Sequence, residues 1–263
     1  MYDAYDSSFP TDQAHGLRQM FAHARVRFVP VVANPHVAFG GVMLERLCTA
    51  FGEHGVHVLV IDASDRAPAP KEMAALDLSE CVETLSSQVS YLAARGLPVR
   101  YVDATGSTAS FLHAVADAAP HADVVLVHAT EGDLCRMFAR SEARPLLLAD
   151  DRPSAVTHAY AAMKMLNQRA GLVVFDLLLS ASPNSPRAER IAIQLATCAD
   201  DFLGAVLRDW LQIDPASDAR EAPTSALRRW ARDVLMQAPG AHVGARGLHA
   251  AQQLQKNAQH VLN

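Results

Sequence analysis

The chain has 263 residues, half of them apolar but only 6% aromatic, and carries a net charge of −5. That length buries one sizeable core, and the interleaved charges exclude the concentrated basic face that a nucleic-acid binder needs. Cys48, Cys81, Cys135 and Cys198 stand far apart inside apolar stretches, which suits reduced thiols better than a disulfide framework or a zinc site, so no metal is expected.

The opening MYDAYDSSFP holds two aspartates and no apolar core, unlike a secretory leader, and no apolar run approaches membrane-spanning length, so a cytoplasmic protein is expected. Residues 1–25 read as an arm. In TDQAHGLRQMF, Thr11 or Asp12 is placed to cap a short helix whose Ala14, Leu17 and Phe21 share one face, leaving Gln13 and Arg18 on others. Such a segment either orders on a partner or packs on its own domain.

Residues 26–240 alternate β-branched and leucine-rich runs with helix-length amphipathic segments. This is the pattern of an α/β domain with a doubly wound, mostly parallel sheet covered by helices on both faces. Strands are expected at Val26–Ala33, His57–Ala63, Pro98–Asp103, Asp123–His128, Pro145–Ala149, Leu172–Leu179 and Leu203–Leu207. Helices are expected at Gly41–His54, Leu78–Arg95, Thr108–Ala118, Gly132–Arg140, Ser154–Gln168 and Arg187–Ala199. Ser225 is the expected cap of a last domain helix with Leu227, Trp230, Ala231, Val234 and Leu235 on one face, stopped by Pro239-Gly240. Residues 241–263 form a helical tail whose Leu248, Ala251, Leu254, Ala258, Val261 and Leu262 make a narrow stripe. With only Arg246 and Lys256 as cations and no aromatic anchor, it reads as a helix packed on the domain or a partner rather than on a membrane.

The first strand-to-helix loop of such a sheet is the usual phosphate cradle. Here it is Ala33-Asn-Pro-His-Val-Ala-Phe-Gly-Gly41, which offers Pro35 without an amide donor, bulky Val37 and Phe39, and Gly40 and Gly41 without side-chain charge. The run PVVANPHVAFGGVMLERLCTAFGEHGVHVLVIDAS resembles the opening of the MinD/ParA-like ATPases, a P-loop NTPase superfamily, and DRPSAVTHAYAAMKML is similar to their segment after the fifth strand. DQAHGLR resembles the N-terminal arm of the FlhG (FleN) family, MinD-like regulators of flagellar number.

The resemblance implies a P-loop NTPase fold and, position by position, a degenerate nucleotide site. The family's signature lysine falls at Pro35, its phosphate-binding lysine at Gly40 and its magnesium-binding hydroxyl at Gly41. Asp62 keeps an acidic residue, the aspartate that positions water becomes Ser64, the Walker B aspartate becomes His128 and the adenine-contacting asparagine becomes Asp176. Losing these together removes the charge and metal that phosphoryl transfer needs, so neither ATP nor magnesium is an expected cofactor and a pseudo-ATPase follows; a true ATP-driven switch with an unorthodox loop is the alternative. The resemblance further implies an FlhF-like GTPase as partner, contacted through Asp12, Gln13, Ala14, Gly16, Leu17, Arg18 and Phe21, with Leu17 and Phe21 docking and Gln13 then Arg18 activating. Other flagellar basal-body or regulatory proteins, polar localisation, peripheral membrane association and service to another polar or secretion assembly remain further readings.

Overall fold

The computed structural model describes residues 26–75, 77–218 and 220–237, so the arm at 1–25 and the tail at 241–263 lie outside the described residues. Eight strands make one sheet in the order β3-β4-β2-β5-β1-β6-β7-β8. They are β1 (Arg27–Val32), β2 (Val58–Ala63), β3 (Glu83–Thr84), β4 (Val89–Ala93), β5 (Val124–Ala129), β6 (Leu146–Asp150), β7 (Val174–Ser180) and β8 (Val206–Ile213). Every pairing is parallel except that of β3 with β4. Among the described residues the α-helices are α1 (Gly40–Gly52), α2 (Ala109–Ala118), α3 (Glu131–Met137), α4 (Pro153–Met165), α5 (Pro186–Leu203) and α6 (Ser225–Met236). The expected mostly parallel sheet, covered by helices on both faces, is therefore present.

The continuous apolar strands feed two separate cores because alternate side chains leave opposite faces of the sheet. Phe28, Ile61, Val125 and Leu147 pack with Phe111, Met163 and Leu195 beneath α2 to α5, whereas Val31, Val60, Leu126 and Leu148 pack with Met43, Leu47 and Trp230 beneath α1 and α6. Cys48, Cys81 and Cys135 are buried free thiols within these cores, and Cys198 is half-buried and also free.

Three expected elements differ. Leu78–Arg95 is not a helix: a short 3-10 turn at Ser79–Cys81 leads into β3 and β4, with Ser86 Oγ accepting from the amides of Gln88 and Val89 at 3.3 and 3.1 Å to close the hairpin. Pairing Val89–Ala93 with β2 buries Ser90 and Leu92 on alternate positions, and that tertiary gain outweighs local helix propensity. Pro98–Asp103 is not a strand, since left-handed Gly96 (φ 72°) turns the chain and Pro98 opens a 3-10 turn to Tyr101. Leu203–Leu207 is the junction of helix and strand: α5 runs to Leu203, Gly204 (φ 57°) caps it with the Ala205 amide donating to Ala199 O, and β8 begins at Val206. At the start of α6 the cap is Thr224, whose Oγ1 accepts from the Leu227 amide at 3.2 Å, and Ser225 is the first helical residue.

Two buried polar clusters tie this frame together. Arg46 on α1 donates to the carbonyls of Ser217 (2.9 Å), Asp218 (2.6 Å) and Glu221 (3.4 Å), strapping the β8–α6 connection to α1. Asp176, 1% exposed near the start of β7, accepts from Trp230 Nε1 at 2.8 Å and pairs with Arg144 Nε at 2.8 Å. Burial raises its carboxyl above the usual range, and the indole N–H opposes that rise. Trp230 also meets Phe51 with ring centroids 5.7 Å apart, so one indole joins α6, α1 and β7. Replacing Trp230 with alanine therefore removes a core aromatic and a donor to a buried carboxylate, an expected loss of about 3–5 kcal/mol in urea unfolding. Trp230→Phe, which keeps most of the bulk, should cost about 1–3 kcal/mol through the lost donor.

Candidate functional site

The site grows from the carboxyl ends of β1, β2 and β5. Parallel register sets Asp62 on β2 directly opposite His128 on β5, and His128 in turn opposite Val31 on β1. Sequence positions 66 apart thus become cross-strand neighbours, with His128 Nδ1 2.9 Å from Asp62 Oδ1. Asp62 Oδ1 also accepts from the Ser64 amide at 3.1 Å. Burial alone would raise the Asp62 carboxyl, but the hydrogen bond and charge of His128 and the donors of Ser64 bring it below its usual value. Nearby on β4, burial and the carboxylates of Asp62 and Glu83 push the Tyr91 phenol up to about 12.

The loop between β1 and α1 is fixed from within by Asn34, which is 8% exposed. Its Nδ2 donates to Leu148 O at 2.8 Å and Ala155 O at 2.9 Å, and its Oδ1 accepts from the His36 amide at 3.0 Å. The Val37 amide donates to Asn34 O at 3.1 Å. From outside, Arg66 Nη2 donates to Pro35 O at 2.5 Å and Arg152 Nη2 donates to His36 O. Arg152 is itself held by the Asp150 carboxylate, its Nε 2.9 Å from Oδ2. Asn34, Arg66, Arg152 and Tyr91 were not singled out by the sequence reading. The Asn-Pro dipeptide is a turn signal that marks Asn34, while the two arginines and Tyr91 reach the site only through tertiary structure.

A cavity of about 620 Å³ opens over this loop and brings together Pro35, Gly40, Gly41, Asp62, Ser64 and His128, six of the seven positions assigned to the nucleotide site. The seventh, Asp176, is elsewhere. It sits near the amino end of β7, sealed between Trp230 and Arg144, whereas adenine would lie beyond the carboxyl ends. The partner-binding positions Asp12, Gln13, Ala14, Gly16, Leu17, Arg18 and Phe21 lie outside the described residues.

The cavity lining offers Arg66 and Arg169 as cations and Ser64 and Thr130 as hydroxyls. A cradle needs loop amides aimed at the anion, with a lysine and a metal-binding hydroxyl. Here the His36 and Val37 amides are turned to Asn34, Pro35 has none, and neither Lys71 nor Lys164 lines the cavity. Among the described residues, no three His, Cys, Asp or Glu side chains converge to hold a metal ion. Packing does not impose the two glycines, because a Cβ at Gly40 or Gly41 would meet nothing within 4 Å.

No protein-family model matches the chain. The antiactivator FleN of Pseudomonas aeruginosa is 28% identical over 123 residues, 42% of this chain and 44% of that protein, so the match spans less than half of its relative. Among solved structures, the fold is similar to cobyrinic acid a,c-diamide synthase from Mycobacterium smegmatis with bound ADP and magnesium (TM-score 0.54, 15% identity, 80% of this chain and 94% of that one). It is also similar to MinD in the MinC:MinD cell division complex of Aquifex aeolicus (TM-score 0.53, 11% identity, 80% and 96%) and to a ParA family ATPase from Chlorobium tepidum (TM-score 0.50, 11% identity, 80% and 98%). The fold is that of the MinD/ParA P-loop ATPases, and the resemblance to FlhG/FleN within that superfamily is borne out.

Asn34→Ala should cost about 2–4 kcal/mol, since it strips donors from two buried carbonyls and the acceptor from one amide. Amide exchange at His36 and Val37 should rise with it, as read by mass spectrometry. Asp62 holds its proton less tightly folded than unfolded, so its contribution is fully present above its unfolded value of about 3.9 and is lost as pH falls through the lower folded value. The gap in urea midpoint between the native chain and Asp62→Asn should therefore be wide at pH 6 and narrow towards pH 3.

Proposed function

We propose that this chain is an FlhG-like regulator of flagellar number or placement that acts through protein contacts and has lost ATP hydrolysis. The observation that carries the reading is the first loop. The element that binds phosphate in this fold is here pinned by Asn34, closed by Arg66 and Arg152, and followed by a His128–Asp62 pair where metal chemistry would need two acids. The similarity to FleN, a protein described as an antiactivator, supports regulation as the task.

In this reading the arm does the work. Asp12, Gln13, Ala14, Gly16, Leu17, Arg18 and Phe21 engage an FlhF-like GTPase, with Leu17 and Phe21 anchoring by apolar contact and Gln13 and Arg18 acting on its active site. The protein needs neither ATP nor magnesium and works in the cytoplasm, at the cell pole or at the membrane periphery. Among the described residues, no helix is long and apolar enough to cross a membrane.

Two measurements test this. Labelled ATP with magnesium should show no saturable binding at micromolar concentration and no turnover; micromolar affinity with measurable hydrolysis would instead establish an ATP-driven switch. Adding the chain to an FlhF-like GTPase should accelerate GTP hydrolysis, and Gln13→Ala should remove at least about tenfold of that acceleration, in line with the larger effects of a supplied activating side chain. Full stimulation by Gln13→Ala would sink the role given to that residue.

A further inference from the structure

A second hollow, about 800 Å³, runs alongside α1 where that helix stops short of the β3–β4 edge of the sheet. Its floor is apolar, formed by Leu44, Cys48, Val60, Leu85, Val89 and Tyr91, and Leu85 stands 63% exposed at its rim. Every charged side chain lining it is acidic: Glu45, Glu53 and Asp62. Glu53 is paired with Arg228 at 2.9 Å, and Asp62 is engaged with His128, while Glu45 is exposed on α1. A groove of this character fits an amphipathic segment whose apolar face is flanked by cations.

We propose that residues 11–21 of this same chain dock in that groove, so that the arm rests in cis against α1, Leu85 and Tyr91. Residues 11–21 carry Arg18 and His15 against one acid, Asp12, at the amino end, residues 22–25 add His23 and Arg25, and Leu17, Met20 and Phe21 are the large apolar side chains. That composition complements the acidic rim and apolar floor. Reach agrees as well. Register places Arg27, Val124, Val58 and Val89 in one row across the sheet. Three strand spacings, about 14 Å, therefore separate the start of β1 from the lower end of the groove. The five steps from Phe21 to Val26 span up to about 17 Å. An eleven-residue helix is about 16 Å long, the same as the stretch of α1 from Gly41 to Gly52 that walls the groove.

The groove is continuous with the cavity over the first loop, because Gly41, Leu44 and Asp62 line both. A docked arm thus covers the Tyr91 side of the Asp62–His128 pair and withholds Leu17 and Phe21 from any other protein. Docking concerns the arm invoked above but does not rest on the partner's identity, so its test uses no GTPase.

In the full-length chain, Phe21 is replaced by the photocrosslinking residue benzoylphenylalanine and the products are mapped by mass spectrometry. Cross-links should fall within residues 44–53 or 85–91 of the same chain, with a yield unchanged over about a tenfold range of protein concentration. In parallel, Leu17→Asp with Phe21→Asp, and separately Glu45→Lys, should each raise amide exchange at residues 85–91 several-fold; these changes lie in the arm or on an exposed position and leave the cores intact. Cross-links to other parts of the domain, a yield that climbs with concentration as for a second copy, or unchanged exchange in all variants as for a groove filled by residues 241–263, would each overturn docking in cis.

Discussion

The parallel register of β2, β5 and β1 is the constraint from which the rest of the site follows. Once Val58 faces Val124, Asp62 must face His128, and both must point beyond the carboxyl edge where a doubly wound sheet receives its ligands. A slip of one residue in β2 would send Asp62 to the opposite face of the sheet and break its 2.9 Å contact with His128 Nδ1. The hydrophobic alternation of the strands therefore does two things at once: it sorts the two cores and it sets a carboxylate against an imidazole at the mouth of the cavity.

The first loop is built as a structural joint. The amides of His36 and Val37 are satisfied by the side chain and the carbonyl of one asparagine, Asn34. Asn34 spends its remaining donors on β6 and α4, so the loop, the neighbouring strand and the following helix behave as one unit. Arginines from two other connections then cover Pro35 and His36. Over the cavity, the hydrogen-bonded Asp62–His128 pair stands among charges of both signs, Asp65 and Glu131 with Arg66 and Arg169.

Much of the frame was legible because its strands are continuous apolar runs, which leave little doubt about a two-faced sheet, and because the unusual loop sits in a fixed place after the first of them. The hairpin at 83–93 was not legible. Its Val-Ser-Tyr-Leu-Ala is short and mixed, and only pairing with β2 decides its conformation. The length of β8 was hidden for a related reason: an edge strand with Arg208 and Asp209 in its middle reads as polar surface. At the site, the family resemblance assigned all seven positions, and six of them line the cavity, whereas Asp176 lies near the amino end of β7, away from it. Its true surroundings depend on Trp230 and Arg144, contributed by segments 54 and 32 residues away.

The two arginines that close the first loop come from separate connections, one after β2 and one at the start of α4, and neither is next to the glycines at 40 and 41. The loop's conformation is thus secured redundantly, by Asn34 from within and by one arginine from each connection, so that losing any single clamp leaves the others in place. Such a joint tolerates sequence drift at its exposed positions, because no one side chain carries its shape alone.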